Sequence, residues 1–305
     1  MVAALIFLVC LVLAVAVSWL LAERMRRPLD EAVRRAAPGQ FADLSQGRTH
    51  YRWEGSVRGP VAVCIHGLTS ASYVWDQLVP RLGMMGFRVL RYDLYGRGLS
   101  DRPEGAQDAA FFLRQLEDLL EHLGLDDDLT LLGYSMGGSI ATVFAAEESH
   151  RVSRVVLLAP AGLGFTPGWL ERVAARVPWI GDWLMRVPGG LLMRRAQERG
   201  PRTEITARQM AETRFAGFLP SVLSSLRHML SRDLAPAHRR IAEKQLPLLA
   251  IWGEADQVIP LTAVGRLAEA NRNARQVTLP KAGHALPVTH PDEIHAAIRT
   301  FLRNG

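Results

Sequence analysis

The chain has 305 residues, is 49% apolar and 22% charged, and carries a formal net charge of +6. This composition excludes a disordered chain and suits one large α/β domain with an insertion. The positive charge is almost all arginine, with Lys244 and Lys281 the only lysines. There is no basic run interleaved with aromatics and no nucleic-acid motif, so no nucleic-acid partner is expected.

In chain order, the first feature is Val2 to Ala22, apolar throughout except Ser18, with Trp19 near its end. As a helix rising about 1.5 Å per residue it is roughly 31 Å long, enough to cross a hydrocarbon core. A cleaved signal peptide is the rival reading, but that would have a basic start and a shorter apolar stretch. "MVAALIFLVC" has no Lys or Arg. Residues 1–22 therefore read as a single-pass membrane anchor. Arg24, Arg26, Arg27, Arg34 and Arg35 follow the span and none precede it, which places the remaining chain on the cytoplasmic side. Residues 23–47 read as a charged juxtamembrane linker broken by "APGQ". Cys10 lies in the anchor and Cys64 in a strand-like run, so no disulfide framework is signalled.

A strand–helix alternation follows. "THYRWEG" (49–55) reads as an alternating strand and "VAVCIH" (61–66) as a strand covered on both faces. "FRVLRYD", "LTLLGY", "VSRVVLLAP", "LPLLAIWGE" and "RQVTLP" read the same way. Helical periods lie between them, over about 73–85, 108–123, 137–148, 261–271 and 291–303. This pattern predicts an α/β fold: a mostly parallel sheet with helices on both faces, over 48–163 and 246–305. Ligands in such sheets bind beyond the carboxyl ends of the strands. The interval 164–245 is apolar, helix-like and strandless, with Trp169, Trp179 and Trp183. It reads as an inserted helical lid, whose aromatics form either its own core or a surface for substrate or bilayer.

"GYSMG" (133–137) fits G-x-S-x-G between a predicted strand and a predicted helix. Small residues on either side let strand and helix approach, exposing Ser135 as a nucleophile. Alone, such a match is also met as a plain glycine-rich turn. A serine needs a base, and the base needs an acid to orient it. Asp256 in "GEADQVIP" and His284 in "AGHALP" each fall just beyond a strand end, and Ser135, Asp256, His284 is the chain order of this architecture. The plainer readings are a capping aspartate and a polar loop histidine. His290 is a rival base but precedes Pro291, which suits a helix entry. Oxyanion donors are expected from the N–H of Met136 and, in "HGLTSAS", from that of Leu68, with His66 fixing the loop. "DLYGRGLSD" (93–101) reads as turn chemistry, since it lacks the G-K-[ST] of a phosphate loop.

In this order and spacing, "HGLTSAS", "DLYGRGLSD", "GYSMGG", "GEADQVIP" and "AGHALP" resemble the α/β-hydrolase superfamily over about 48–305. The resemblance implies an eight-stranded sheet with an inserted lid. It implies serine hydrolysis without cofactor or metal. Serine at 135 separates the chain from the haloalkane dehalogenase and epoxide hydrolase branches, which use aspartate there. "SMGG" with an amino-terminal anchor is similar to membrane-anchored monoacylglycerol lipases and bacterial esterases, although those lipases often have histidine or threonine where Tyr134 stands. The expected activity is cleavage of a lipid-like carboxylic ester, such as a monoacylglycerol or lysophospholipid. The alternatives are carbon–carbon bond hydrolysis or cofactor-free perhydrolysis by the same triad, and a non-catalytic membrane scaffold or binding protein.

Overall fold

The computed structural model describes residues 1–198 and 204–303. The first helix, α1 (Val2–Arg24), has no buried residue and a mean hydropathy of 3.0 over its most apolar window, long and apolar enough to span a membrane. A short helix, α2 (Glu31–Arg35), follows, its start capped by the Asp30 carboxylate accepting from Val33 N at 2.9 Å. The sheet opens with β1 (Gln40–Leu44) and β2 (Gly47–Gly55) as an antiparallel pair. Residues 40–44, inside the stretch expected as a linker over 23–47, thus already belong to the sheet. "QFADL" lies at the sheet edge with only Ala42 fully buried, so its apolar pattern is faint.

Next come β3 (Val61–Ile65), α3 (Val79–Met84), β4 (Arg88–Tyr92), α4 (Ala109–His122), β5 (Leu129–Tyr134), α5 (Met136–Glu147) and β6 (Val152–Leu158). The stretch expected as one helix over 73–85 is a 3-10 turn, Ser72–Trp75, followed by α3. Beyond β6 lie only helices until β7 among the described residues: α6 (Trp169–Arg176), α7 (Ile180–Leu184), a π-turn at Met185–Gly189, α8 (Gly190–Glu198), α9 (Glu204–Glu212), α10 (Phe218–Arg227) and α11 (Ala235–Glu243). Residues 199–203 of the expected lid lie outside the described residues. The chain closes with β7 (Leu248–Gly253), α12 (Thr262–Ala270), β8 (Arg275–Leu279), α13 (Leu286–Thr289) and α14 (Pro291–Arg303).

The eight strands are ordered β1-β2-β4-β3-β5-β6-β7-β8. β2 pairs antiparallel with β4, and every pairing from β4 to β8 is parallel. Strands β5 and β7 are buried at every position, as continuous apolar runs require when both faces are covered. On one face Phe112, Leu116, Ile140, Phe144, Ile241 and Leu267 pack against the sheet; on the other Trp75, Leu78, Leu286, Ile294, Ile298 and Phe301 do. Each such side chain contributes roughly 1.5–3 kcal/mol relative to exposure.

The strand order reverses between β3 and β5. At such a switch point the connections leave in opposite directions and a crevice opens beyond the carboxyl ends. The loop at 66–72 and Ser135 flank that crevice.

Candidate active site

Ser135 sits between β5 and α5 with φ +53° and ψ −117°. This is a strained conformation for a non-glycine residue, worth about 1–3 kcal/mol. The glycines around it show what holds it there. A Cβ on Gly137 would lie 2.1 Å from the carbonyl oxygen of Ile65, and one on Gly133 would lie 2.5 Å from that of Gly137. The start of α5 is thus pressed onto the end of β3, with no room for a side chain at either position. Ser135 N donates to Leu158 O at 3.0 Å, which fixes the turn to the neighbouring strand β6.

His284 arrives in the loop after β8. Its Nε2 is 2.9 Å from Ser135 Oγ and its Nδ1 is 2.8 Å from Asp256 Oδ2. The carboxylate accepts from Nδ1–H, which leaves Nε2 free to accept the Ser135 hydroxyl proton. The Asp256 side chain is 1% exposed. Its other oxygen accepts from Val258 N and Ile259 N at 2.8 and 2.9 Å, so the acid is held at both ends. The turn bonding expected of a capping aspartate is therefore present, and it orients the carboxylate toward the histidine.

Met136 is the first residue of α5. A first-turn N–H has no acceptor within its own helix and is available to a developing oxyanion. Gly67 backs onto the serine, its Cβ direction ending 3.3 Å from Ser135 Cβ, which brings the following residue, Leu68, to the same side of the crevice. His66 is fully buried, and burial pushes its pKa down to about 4. Its Nδ1 donates to Gly67 O at 2.9 Å and its Nε2 accepts from Leu94 N at 2.8 Å. It ties the loop after β3 to the loop after β4 as a neutral ring. His290 lies at the entry to α14, its carbonyl accepting from Ile294 N at 3.1 Å and its Nδ1 bonded to Thr289 Oγ1 at 2.8 Å.

Three supports were not foreseen in the sequence. The Tyr134 hydroxyl donates to the His284 carbonyl at 3.1 Å, and its ring centroid is 5.3 Å from the imidazole. Buried Arg97 donates from Nε to Leu68 O at 2.9 Å and from Nη2 to Ser225 Oγ at 2.8 Å, joining the loop at 66–72 to helix α10. Buried Asp93 accepts from Ser72 N, Leu99 N and His50 Nδ1 at 2.8, 3.0 and 2.8 Å. "DLYGRGLSD" is thus turn chemistry that also braces the crevice. The glycines in that stretch were its only visible signal; the partners are distant in sequence.

A family model described as the alpha/beta hydrolase fold matches residues 60–291. The chain is 30% identical over 277 residues to haloalkane dehalogenase 2 of Mycobacterium tuberculosis, covering 85% of this chain and 93% of that protein. It is 24% identical over 272 residues to a pimeloyl-acyl-carrier-protein methyl ester esterase of Vibrio parahaemolyticus, covering 84% and 99%. The solved structure of an enol-lactonase from Burkholderia xenovorans LB400 matches with a TM-score of 0.72 at 25% identity, covering 87% of this chain and 100% of that one.

Proposed function

Because the chain belongs to the alpha/beta hydrolase fold family, we propose that it is a membrane-anchored serine hydrolase of lipid-like carboxylic esters. The observation that carries this reading is the unbroken hydrogen-bond chain from Asp256 through His284 to Ser135. Ser135 Oγ attacks the ester carbonyl as His284 Nε2 takes its proton. Asp256 stabilises the imidazolium. The N–H groups of Leu68 and Met136 hold the tetrahedral oxyanion. Collapse expels the alcohol, which takes the proton from His284. Water, deprotonated by the same histidine, then releases the acid and restores the serine.

Halide displacement, the activity named for one relative, does not suit this nucleophile. Attack by Ser135 on an alkyl halide would leave an ether. An ether has no carbonyl for water to attack, so the enzyme would stop after one turn. An acyl-serine has that carbonyl.

The apolar helix α1 and the aromatic-rich lid support a lipid-like substrate. The measurement is kcat/KM across aryl esters and monoacylglycerols of rising chain length, with a vinylogous diketone for the carbon–carbon alternative. A rise with chain length is expected. Preference for acetyl over long acyl chains would sink the lipid reading, and turnover of the diketone alone would favour the alternative.

The arginines that follow α1 support a cytoplasmic catalytic domain. Reporter fusions at residue 305 test this: a cytoplasmic reporter should be active, and a signal only from a reporter that works outside the cytoplasm overturns it.

A further inference from the structure

The lid carries an apolar surface that water alone does not explain. Trp179 is 77% exposed and Trp169 69%, with Ile180, Val173 and Val177 also exposed. Trp169 and Val173 lie four residues apart on one face of α6, and Val177, the extended residue that ends the helix, lines the same shallow surface groove. Arg172 and Arg176 line it too. Trp179 also holds φ +63° and ψ −56°, a conformation disfavoured for a bulky residue. The backbone is strained here, yet the indole it presents is left in the open.

The end of α1 is fixed to this same corner of the lid. Trp183 Nε1 donates to Ser18 Oγ at 2.9 Å, and the rings of Trp19 and Trp179 are 6.3 Å apart. The Arg186 guanidinium lies 5.7 Å from the Trp19 ring centroid. Glu23 accepts from Gly217 N at 3.0 Å, and Arg27 N donates to Arg214 O at 2.9 Å. Residues 18–27 therefore strap the anchor to the lid.

The strap sets a depth. Trp19 lies three residues before the end of the apolar span, where an indole prefers the water–hydrocarbon boundary. Trp179, beside Trp19, lies at the same level. α6 joins α7 through the turn at 177–181, where Gly181 N donates to Val177 O at 2.8 Å.

Resting on the anchor reading above, we propose that Trp169, Val173, Val177, Trp179 and Ile180, with Arg172 and Arg176, form a second membrane-contact surface. It lies in the headgroup layer of the leaflet in which α1 ends. The indoles and aliphatic side chains enter the acyl boundary, and the two guanidiniums meet lipid phosphates. The lid is then the part held against the bilayer, and the crevice beneath it faces the lipid that would supply an ester.

The test uses the full chain with Cys10→Ala, Cys64 being buried, in nanodiscs of phosphatidylcholine with or without phosphatidylglycerol. Single cysteines replace Val9, Val173, Ile180 or Val57 and carry a nitroxide. Val57 is exposed in the turn between β2 and β3, at the end of the sheet away from the crevice. Labels at 9, 173 and 180 should be relaxed by oxygen, and the label at 57 by a water-soluble nickel chelate. Chelate access at 173 and 180, with oxygen access at 9, overturns the lid surface and leaves the anchor standing. Chelate access at 9 overturns the anchor and the lid surface with it. In a second arm, Trp169→Ser/Trp179→Ser/Ile180→Ser should lower turnover of a vesicle-borne ester by about tenfold or more and leave turnover of a soluble aryl ester unchanged. Equal turnover of the vesicle-borne ester by variant and wild type overturns the proposal.

Discussion

Ser135→Ala should reduce ester turnover by at least about 10⁴-fold with the folded structure retained. The substitution keeps the Cβ, so it introduces no clash at the turn and removes only the attacking oxygen. Neither His66 nor His290 is placed to take over as base: His66 is buried and bonded at both ring nitrogens, and His290 sits at the entry to α14 with its Nδ1 on Thr289. His284→Ala should cost about as much. Asp256→Asn should cost less, on the order of 10²–10⁴-fold, because it changes the imidazole's tautomer and not the nucleophile. The double variant Ser135→Ala/His284→Ala should be no worse than either single one, since the groups act as a unit. A fluorophosphonate probe followed by intact mass reads the first result directly. Wild type gains one adduct and Ser135→Ala none; an adduct on the variant would remove Ser135 from the nucleophile's position.

The positions of Ser135, Asp256 and His284 were legible because each follows a strand end where the fold's chain order calls for it, and the structure brings them into one hydrogen-bonded row. The strands β3, β5, β6 and β7 were equally plain, as buried apolar runs bounded by turns. Two kinds of feature were hidden. Edge elements such as β1 bury little, so their sequence carries little periodicity; pairing with β2, not pattern, makes "QFADL" a strand. Contacts between distant residues leave no local trace either. His50 and Asp93 are 43 positions apart, Arg97 and Ser225 128. Tyr134 could be placed beside the nucleophile from sequence, but not its hydroxyl on the carbonyl of the histidine's own loop. The packing of residues 18–27 on the lid is of the same kind, since nothing in an apolar helix announces what its last turn touches.

Asp93→Asn should be the most destabilising of the conservative polar changes around the crevice, by about 3–5 kcal/mol, because it strips one partner from a buried charged pair. At about 2–4 °C per kcal/mol for a domain of this size, the melting temperature should drop by roughly 10 °C. The pH dependence identifies the cause. Burial alone would raise the Asp93 carboxyl, but the hydrogen bond and charge of His50, helped by Leu99 N–H, hold it well below the usual carboxylate range. Burial works against the His50 imidazolium too, yet the hydrogen bond and charge of Asp93 and the Pro38 carbonyl hold its pKa above the ordinary value. A depressed carboxylate contributes stability above its unfolded pKa of about 4 and loses it as pH falls. A raised imidazole contributes below its unfolded pKa of about 6.5 and loses it as pH rises through the folded value. Both contributions are fully present only between about pH 4 and 6.5. The gap in melting temperature between wild type and Asp93→Asn should therefore be widest near pH 5 to 6 and narrow on either side. A gap that closes in acid but stays constant above about pH 6.5 would mean that Asp93 acts only as a hydrogen-bond acceptor for Ser72 and Leu99, with no charge on His50. The activity of the variant at permissive temperature carries the same argument to the crevice. Asp93 braces the loop that holds Arg97, and Arg97 holds Leu68. KM should therefore change little, while kcat falls through the misplaced oxyanion donor.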